Sequence, residues 1–460
     1  MKQDSNVFVN RTLNLQKINY IGLDMDHTLV KYHSENFECL AHTLMLEKLV
    51  ETKGYPSEIL DLELQYDRAI RGLVLDKKFG NLLKVSRYGA IRVSYHGLEN
   101  ISFSKQKKIY RSTYIDLSDP NYDVIDTTFS IAFATLFAQL VDLKDHKFPQ
   151  EMPDYAVIAE DLNYVLDTAH RDESIKSVVC ENLEKYIIKD KELVEGLEYY
   201  IKSGKKIFLL TNSEFYYTKK LLDYTINPFL THCSNWQELF EFTIVFAQKP
   251  RFFIDQLNFL EIDPETGKME NKSGKIEKGK VYQAGCETTL TSDLNLLPDE
   301  TLYIGDHIYG DVVLLKKNCA WRTALVVEEL SKEIEGFKKA EPYVEKIEQL
   351  MDKKHPLEVA LNRLSAELIS SNDDQLKVRF DELMLEVAEI DKEVSPLIRK
   401  QQEFFNPYWG ETFRSGIEES YFAHQMERFA CIYMSDLKDF LKMSPRSYFR
   451  STKRPLAHEL

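Results

Sequence analysis

Five short apolar runs, each bounded by polar residues, recur along the chain and predict the strands of a parallel sheet. Runs of this kind are typical of strands that are buried on both faces. They extend from Asn19 to Leu23, Lys206 to Leu210, Phe242 to Phe246, Leu302 to Ile304 and Trp321 to Val327. A helical stretch ending at Ser203-Gly204 precedes the second run, and the glycine suits a left-handed helix cap. The pattern indicates a βαβ rhythm and an α/β fold.

The spacing of these runs predicts that the sheet is interrupted by inserted chain. Far more chain separates Leu23 from Lys206 than an ordinary crossover connection needs. We therefore predict a catalytic core formed by residues 1–50 and 190–345. An inserted, mostly helical cap or substrate region is expected at residues 51–189.

A second, smaller insertion is expected at residues 251–297. Within it, the segment from Asp263 to Gly267 is typical of a turn. The stretch from Lys272 to Lys280 is rich in lysine and glycine, which indicates an exposed loop.

Beyond Val327 the apolar positions change to a helical period. One face carries Leu357, Leu361, Leu364 and Leu368, and a second series at steps of four and three carries Leu376, Phe380, Leu383, Val387, Ile390 and Val394. The segment from Ser370 to Asp374 separates the two series. We predict that residues 346–460 form a helical hairpin and further helices that pack on the core, with a self-association seam as the alternative.

Composition and charge narrow the classes of function. The 460 residues include 74 acidic and 59 basic side chains, and the formal charge of −15 disfavours broad attraction to nucleic acid or an anionic membrane. The sequence contains no apolar run of the roughly 18 residues that a membrane span needs, and no secretion signal pattern. Its six scattered cysteines indicate neither a zinc site nor a disulfide framework. We expect a cytoplasmic protein that binds no nucleic acid and no membrane.

The first candidate for chemistry is the segment from Asp24 to Leu29, directly after the first predicted strand. Carboxylates at Asp24 and Asp26 can reach one bound group, and their repulsion favours a divalent metal ion when phosphate is also present. A solvated acidic loop is one alternative. A calcium loop is another, because Thr28 and Glu35 also fit its ligand positions, but Leu29 stands where that loop requires glycine.

Three further candidates follow other predicted strands. Thr211-Asn212-Ser213 offers hydroxyl, amide and backbone donors, although such a segment could simply cap the next helix. Lys249 supplies a cation, although a single lysine is more often an exposed solubilising residue. Asp306 and Asp311 offer carboxylates across a turn into a helix, which Asp311 could also cap. Because open α/β sheets bind ligands at the carboxyl ends of their strands, the four segments together predict one shared site.

The order of these motifs resembles the haloacid dehalogenase superfamily, with D-x-D-x-T-L, a hydroxyl after the second strand, a lysine and G-D-x-x-x-x-D. Further segments are similar to the cytosolic purine 5′-nucleotidase (IMP-GMP specific) family over most of the chain. They are Gly80 to Val85, Glu181 to Tyr186, Gln248 to Phe253, Tyr303 to Ile308 and the helix from Gln425 to Tyr433. The resemblance implies a Rossmann-like parallel sheet of the haloacid dehalogenase type, with a large cap insertion between its first two strands, a smaller second insertion and a C-terminal helical region.

The same resemblance implies a magnesium-dependent 5′-nucleotidase that hydrolyses purine nucleoside 5′-monophosphates such as IMP and GMP. Asp24 would be the nucleophile that forms an aspartyl-phosphate, and Asp26 the general acid and base. Mg²⁺ would be held by Asp24, the Asp26 carbonyl and Asp306. Asp311 would act through a water molecule or by orienting Lys249.

The resemblance also implies how a nucleotide is held. The phosphoryl oxygens would be bound by Thr211, Asn212, Ser213 and Lys249, of which Thr211 and Lys249 are expected to be catalytic. The nucleoside would be bound by Phe129, Asp167, His170 and Lys176. For Phe129 core packing is an open alternative, and for His170 a surface position on a helix.

Two departures from the family pattern concern base preference and effector response. Asn163 stands where an arginine is expected, and Asp126 where an asparagine is expected. Lys317, Gln425 and Arg428 match only part of the family's effector region. We therefore predict weak or absent activation by nucleotides. The resemblance further implies a homo-oligomer.

Three other functions compete with hydrolysis of purine nucleotides. The protein could pass phosphate from Asp24 to a second nucleoside, as a phosphotransferase. It could be a phosphatase for another small phosphoester. It could also be a non-catalytic nucleotide-binding scaffold that uses its helical hairpin for partners, although the intact Asp24, Asp26, Lys249 and Asp306 count against this.

Overall fold

The computed structural model describes residues 6–111, 114–370 and 373–451. These residues form two compact units. Glu329–Thr412 is one unit, and the other consists of the remaining described residues, in which the chain before residue 329 and the chain from Phe413 onward come together. The division into a catalytic core, two insertions and a C-terminal region stays a prediction.

A ten-stranded sheet forms the centre of the larger unit. Its parallel part runs, in spatial order, through Ile432–Met434, Arg322–Val326, Thr301–Gly305, Tyr20–Leu23, Lys206–Leu210, Thr243–Val245 and Val281–Ala284. Antiparallel strands complete the two edges, Val7–Val9 at one and Phe259–Ile262 with Met269–Asn271 at the other. All five predicted strands are present, and the predicted α/β class with a mostly parallel sheet is confirmed.

The central strand contains a glycine because large rings from both neighbouring strands fill the space beside it. A Cβ atom added to Gly22 would lie 2.4 Å from Cζ of Phe208 and 2.7 Å from Cδ2 of Tyr303. Both rings belong to a buried cluster that also contains Phe242 and Trp321. Protein interiors are packed closely enough that such rings cannot move apart without cost. The packing of the core therefore requires glycine at this position.

We expect Gly22→Ala to lower the free energy of unfolding by about 3 kcal/mol, because rigid rings on two strands must shift. Gly204→Ala provides a comparison, since Gly204 has a φ of +88° and no atom within 4 Å of an added Cβ. Gly204→Ala should lower the free energy of unfolding by about 1 kcal/mol, because only the backbone conformation disfavours alanine there. Urea denaturation of both variants measures the two losses. Equal losses would contradict the packing explanation.

The chain between the first two strands of the parallel sheet forms a second sheet as well as helices. The second sheet is antiparallel, with the order Glu99–Asn100, Ile91–His96, Asn81–Val85, Val74–Asp76 and Tyr122–Val124. The α-helices that precede Lys191–Lys202 in this part of the chain are Ser34–Lys53, Phe103–Tyr110, Ile131–His146, Tyr155–Arg171, Ser174–Glu181 and Leu183–Tyr186. The hydrophobic pattern does not predict this sheet, because buried polar residues interrupt its strands, among them Asp76, Asn81 and Lys84.

The smaller unit is a helical hairpin. Its helices, Glu329–Ser370 and Asp374–Gln402, pack against each other and bury Leu361, Leu383 and Val394. These three residues belong to the two apolar series in the sequence, and the predicted C-terminal helical region is present. A self-association seam and a homo-oligomer stay predictions.

The predicted turn from Asp263 to Gly267 joins the antiparallel strands Phe259–Ile262 and Met269–Asn271. Asp263 Oδ1 accepts a hydrogen bond from the Glu265 N–H at 2.9 Å, and Gly267 has a φ of +69°. The stretch from Lys272 to Lys280 contains no helix or strand, which confirms the predicted loop.

The other elements of the larger unit are short. Its remaining α-helices are Lys191–Lys202, Phe215–Thr225, Glu287–Leu294, Leu314–Asn318, Tyr421–Phe429 and Leu437–Leu441. Two-stranded pairs join Lys31–Tyr32 to Ile187–Ile188, Leu13–Asn14 to Tyr448–Phe449 and Arg414–Ser415 to Glu418–Glu419. Among the helices in the described part of the chain, none combines the length and the apolar character needed to cross a membrane.

Candidate active site

The four candidate segments lie at one edge of the parallel sheet. Asp24, Thr211 and Asp306 each follow directly after the last residue of a strand, and Lys249 follows the strand that ends at Val245. The four strands are neighbours and run parallel. Their carboxyl ends therefore meet, as the pattern of strands in the sequence predicts.

Lys249 is buried between two carboxylates at this edge. Its Nζ lies 2.8 Å from Asp24 Oδ1 and 2.8 Å from Asp311 Oδ1, and it donates a hydrogen bond to the Tyr303 hydroxyl at 3.0 Å. Burial would lower the pKa of Lys249, but the charges of Asp24 and Asp311 outweigh it and hold the pKa well above its ordinary value. The lysine is therefore a fixed positive charge of the site, and the alternative of an exposed solubilising residue is wrong.

Asp24, Asp306 and Asp311 form a carboxylate cluster that could hold a metal ion. One oxygen from each lies within 4.8 Å of the others, and all three side chains are buried. Burial raises the pKa of Asp24 and of Asp306, against the opposing charges of Lys249 and Arg71. Asp306 Oδ2 is buried and has no hydrogen-bond donor among the described residues. Crowded carboxylates with an unpartnered oxygen fit a hard divalent cation such as Mg²⁺.

The carboxylate of Asp26 is held by two hydroxyl groups. Tyr32 donates a hydrogen bond to Oδ1 at 2.5 Å, and Ser213 donates one to Oδ2 at 2.7 Å. The hydroxyl of Tyr32 lies 3.0 Å from the hydroxyl of Tyr217. Burial and the neighbouring Asp26 raise the pKa of both tyrosines well above the ordinary value. Both phenols therefore stay neutral and able to donate.

The segment Thr211-Asn212-Ser213 contributes in three different ways. Asn212 fixes the backbone of Lys249, because its Oδ1 accepts from the Lys249 N–H at 2.6 Å and its Nδ2 donates to the Lys249 carbonyl at 3.0 Å. Ser213 contacts Asp26. Thr211 is fully buried, and its hydroxyl accepts a hydrogen bond from the Ser213 N–H at 3.1 Å. Asn212 and Ser213 line the site cavity, whereas Thr211 lies behind the lining.

A cavity of about 390 Å³ opens above these charged residues. Its lining includes Asp24, Asp26, Lys249, Asp306 and Asp311, together with Phe129, Asp167, His170 and Lys176. The volume is in the range of small-molecule sites. The structure thus brings every predicted site residue except Thr211 to the wall of one cavity.

Aromatic side chains surround Phe129 in the cavity wall. Its ring centroid lies 4.5 Å from that of His27, 5.1 Å from that of Phe37 and 5.9 Å from that of His170. Burial lowers the pKa of His170, and the nearby Lys176 lowers it further. His170 therefore lies in the cavity wall as a half-buried ring whose pKa is below its ordinary value, and its contact with a nucleoside stays a prediction.

Two of the cavity residues that are predicted to bind the nucleoside, Asp167 and Lys176, form ion pairs. Asp167 pairs with Arg171 one helical turn later, and both side chains are largely exposed. Lys176 pairs with Glu214, which follows Ser213 in the chain. The Lys176 ammonium also lies 5.8 Å from the ring centroid of Tyr217. A cation and a carboxylate are thus presented together in the cavity wall.

The two residues that depart from the family pattern lie in separate places. Asp126 Oδ2 is 3.6 Å from Nδ1 of His307, beside the carboxylate cluster. Burial raises the pKa of Asp126, and the charges of His307 and Arg71 oppose this rise. Asn163 lines another cavity, of about 330 Å³, with Asp123 among its neighbours.

The three residues that match part of the effector region lie around the helix Tyr421–Phe429. The Lys317 ammonium and the Arg428 guanidinium lie 5.7 Å and 5.1 Å from the ring centroid of Phe429. Gln425 donates a hydrogen bond to the Tyr421 hydroxyl. Weak or absent nucleotide activation stays a prediction.

Sequence reasoning missed four residues that contact the site, namely Tyr32, Tyr217, Glu214 and Arg71. The two tyrosines and Glu214 carry no pattern that separates them from ordinary surface or core residues. Arg71 does carry a signal, because it is a charged residue inside the apolar run from Ala69 to Val74. A buried arginine in such a run needs nearby acceptors.

The parallel sheet, the Asp24-Asp306-Asp311 cluster and the buried Lys249 define the class of protein: its fold and site are those of the haloacid dehalogenase superfamily. Within that class, the chain belongs to the 5′ nucleotidase family, whose profile matches residues 7–460. A 5′-nucleotidase domain-containing protein of Dictyostelium discoideum is 26% identical over 98% of this chain and 74% of its own length. Human 5′-nucleotidase domain-containing protein 2 is 26% identical over 98% of this chain and 85% of its own length. Family membership points to phosphatase chemistry.

Proposed function

We propose that the protein is a Mg²⁺-dependent phosphomonoesterase that hydrolyses purine nucleoside 5′-monophosphates, IMP and GMP among them, to nucleoside and phosphate. One observation carries the proposal: a single cavity is lined by the charged side chains of Asp24, Lys249 and Asp306 and by the rings of Phe129 and His170. A phosphate group suits the charged residues, and a planar base suits the rings. A nucleotide uses both.

Asp24 is the proposed nucleophile. One of its carboxylate oxygens forms a bond to phosphorus while the bond from phosphorus to the 5′-oxygen breaks, and protonated Asp26 gives its proton to the leaving oxygen. Asp26 then takes a proton from water, whose oxygen attacks the phosphorus of the aspartyl-phosphate and frees Asp24 and phosphate. Hydroxyl groups both donate and accept, so Tyr32 and Ser213 suit both protonation states of Asp26.

The phosphoryl oxygens are proposed to be held by Lys249, Asn212 and Ser213, which all line the cavity. Asn212 contacts the backbone of Lys249, and Ser213 contacts Asp26. Thr211 contributes by fixing the Ser213 N–H. Mg²⁺ on Asp24, Asp306 and the Asp26 carbonyl, with Asp311 close by, would neutralise phosphate charge. Phosphoryl transfer depends chiefly on positioning and charge stabilisation, which a buried lysine fixed by Asp311 and Asn212 supplies.

The nucleoside is proposed to lie against Phe129, with His170 and Asp167 beside it. The Lys176-Glu214 pair supplies one donor group and one acceptor group within the same wall. A purine presents both donors and acceptors on its edge, so such a pair suits a purine better than an apolar wall does. This arrangement supports a purine nucleotide over a sugar phosphate.

Phosphate release from IMP, GMP, AMP, CMP and glucose 6-phosphate, each with Mg²⁺ or with EDTA, tests the proposed function. We expect release from the purine nucleotides with Mg²⁺, at least about tenfold faster than from glucose 6-phosphate, because only a nucleotide uses the aromatic wall. EDTA should abolish it. Equal rates on glucose 6-phosphate would favour a general phosphatase. No release from any nucleotide would favour a phosphatase for another phosphoester or the non-catalytic scaffold.

Transfer to a second nucleoside is tested in the same reaction. Added inosine or guanosine competes with water for the aspartyl-phosphate at Asp24. If the protein is a phosphotransferase, nucleotide forms from the acceptor while free phosphate falls by the same amount. If it is a hydrolase, phosphate release stays equal to nucleotide consumed.

A further inference from the structure

Arg71 is one of the largest fully buried side chains in the described structure, with 1% of its surface exposed. It precedes the strand Val74–Asp76 of the antiparallel sheet, which belongs to the chain inserted between the first two parallel strands. Burying a guanidinium is costly unless acceptors surround it. The contacts that Arg71 makes therefore indicate why it is buried.

Its two terminal nitrogens hold two separate parts of the site. Nη1 donates a hydrogen bond to the backbone carbonyl of Asp306 at 2.9 Å, and Nη2 donates one to Thr128 Oγ1 at 2.6 Å. The guanidinium also lies 5.6 Å from the ring centroid of Phe422. A planar fork with several fixed donors can serve two acceptors at once, which a lysine ammonium on a flexible stem does less well.

The first contact fixes the end of the strand that carries the metal cluster. Asp306 directly follows Thr301–Gly305, and its side chain offers the unpartnered oxygen of the carboxylate cluster. A hydrogen bond to its carbonyl limits rotation of the peptide and so limits where that oxygen points. Partners behind metal ligands of this kind orient them and raise metal affinity.

The second contact fixes the turn that carries the aromatic wall. Thr128 begins the turn Thr128–Ser130, and Phe129 lies between it and the helix Ile131–His146. The hydroxyl that Arg71 holds is therefore one residue from the ring that faces the cavity. Free movement of this turn would change the distance from Phe129 to the charged end.

We propose that Arg71 is a positioning residue that holds the Asp306 strand end and the Phe129 turn in one arrangement, so that metal affinity and nucleotide affinity both depend on it. The nucleotide half of this inference rests on the proposed function, whereas the metal half does not. A merely structural arginine would stabilise the fold and change neither affinity.

Three variants separate the two contacts. Arg71→Lys keeps the charge but loses the fork. Thr128→Val removes the hydroxyl and keeps the shape, and Thr128→Ser restores the hydroxyl. The probe for the metal site is Mn²⁺, which takes the same oxygen ligands as Mg²⁺ and whose free concentration is read from its electron paramagnetic resonance signal. Steady-state kinetics with IMP gives KM and kcat, and thermal melts report folding.

For Arg71→Lys we expect the dissociation constant of Mn²⁺ to rise about tenfold and KM for IMP to rise as well. For Thr128→Val we expect KM to rise about three- to tenfold, with the Mn²⁺ constant within about twofold of wild type, because only one hydrogen bond on the nucleotide side is lost. Thr128→Ser should return KM to the wild-type value.

Unchanged Mn²⁺ binding and unchanged KM in a folded Arg71→Lys protein, with only a lower melting temperature, would overturn the inference. If Arg71→Lys does not fold, the two Thr128 variants decide it, and a KM equal in Thr128→Val and Thr128→Ser overturns it. If the wild-type protein binds Mn²⁺ but hydrolyses no nucleotide, the proposed function is refuted. The Mn²⁺ dissociation constants of the wild type and of Arg71→Lys would still show whether Arg71 positions the metal ligand.

Discussion

Asp24→Asn is expected to reduce Mg²⁺-dependent phosphate release from IMP on the order of 10⁴-fold or more, to the background of the assay. An amide oxygen is a poor nucleophile, and the variant offers no carboxylate that could carry the phosphoryl group. The Lys249 ammonium would keep Asp311 as its partner at 2.8 Å, so the site should stay formed. Phosphate release over a range of protein concentrations measures the loss.

The chemical intermediate gives a second readout for the same variant. When wild-type protein is quenched in acid during turnover of IMP that is radiolabelled in its phosphate, the protein should retain the label. Hydroxylamine should remove this label, because it cleaves acyl phosphates. Asp24→Asn should retain none. Asp255→Asn is a matched control, because Asp255 is a half-exposed carboxylate that pairs with Arg251 away from the cavity lining. Full activity in Asp24→Asn, or label that survives hydroxylamine, would show that another group attacks phosphorus.

Stability should move in the opposite direction from activity in this variant. Asp24, Asp306 and Asp311 are buried together, and like charges at such distances repel. Removing one of the three without a bound metal ion relieves that repulsion. We therefore expect the melting temperature of Asp24→Asn in EDTA to equal or exceed that of the wild type, which also excludes unfolding as the reason for lost activity.

The parallel sheet could be predicted from the sequence because its strands are covered on both faces. Lys206–Leu210 is four-fifths apolar and buried at each of those four positions, so composition alone marks it. The antiparallel sheet lacks this property. Asp76 and Asn81 are buried there because Tyr110 joins them, donating to Asp76 at 2.7 Å and accepting from Asn81 at 2.7 Å. Such long-range pairing leaves no mark in the local pattern.

The residues of the candidate site likewise fall into those that could be predicted from the sequence and those that could not. Asp24 and Thr211 could be placed from the sequence because each directly follows a predicted strand, and Asp306 because it lies two residues beyond Ile304, the end of another. The ends of parallel strands meet at one edge of the sheet. Residues that contribute through contacts with residues far away in the sequence could not be predicted. Tyr32 and Tyr217 meet across 185 positions of sequence, and Arg71 reaches Asp306 across 235. Tertiary packing sets these contacts, and one sequence does not reveal them.

Asp26→Asn is expected to lower kcat for IMP by about 10²–10⁴-fold, because the 5′-oxygen of a nucleoside leaves poorly without a proton donor. The loss should depend on the leaving group. With p-nitrophenyl phosphate, whose phenolate leaves without a proton, the first step should survive and the second step, which needs Asp26 as a base, should be slow. Stopped-flow absorbance should then show a burst of p-nitrophenolate close to one equivalent per protein, followed by slow turnover.

Ser213→Ala is the matched control for this burst, because it removes one hydrogen bond to Asp26 and keeps the carboxylate. It should lower kcat for both substrates by a similar and smaller factor, since both half-reactions retain an acid and base that is less well oriented. If Asp26→Asn lost the same factor on IMP and on p-nitrophenyl phosphate and gave no burst, Asp26 would serve only to shape the site. A burst with a leaving-group-dependent loss assigns both proton transfers to one carboxylate, because a residue that merely orients the phosphate would slow the two substrates equally.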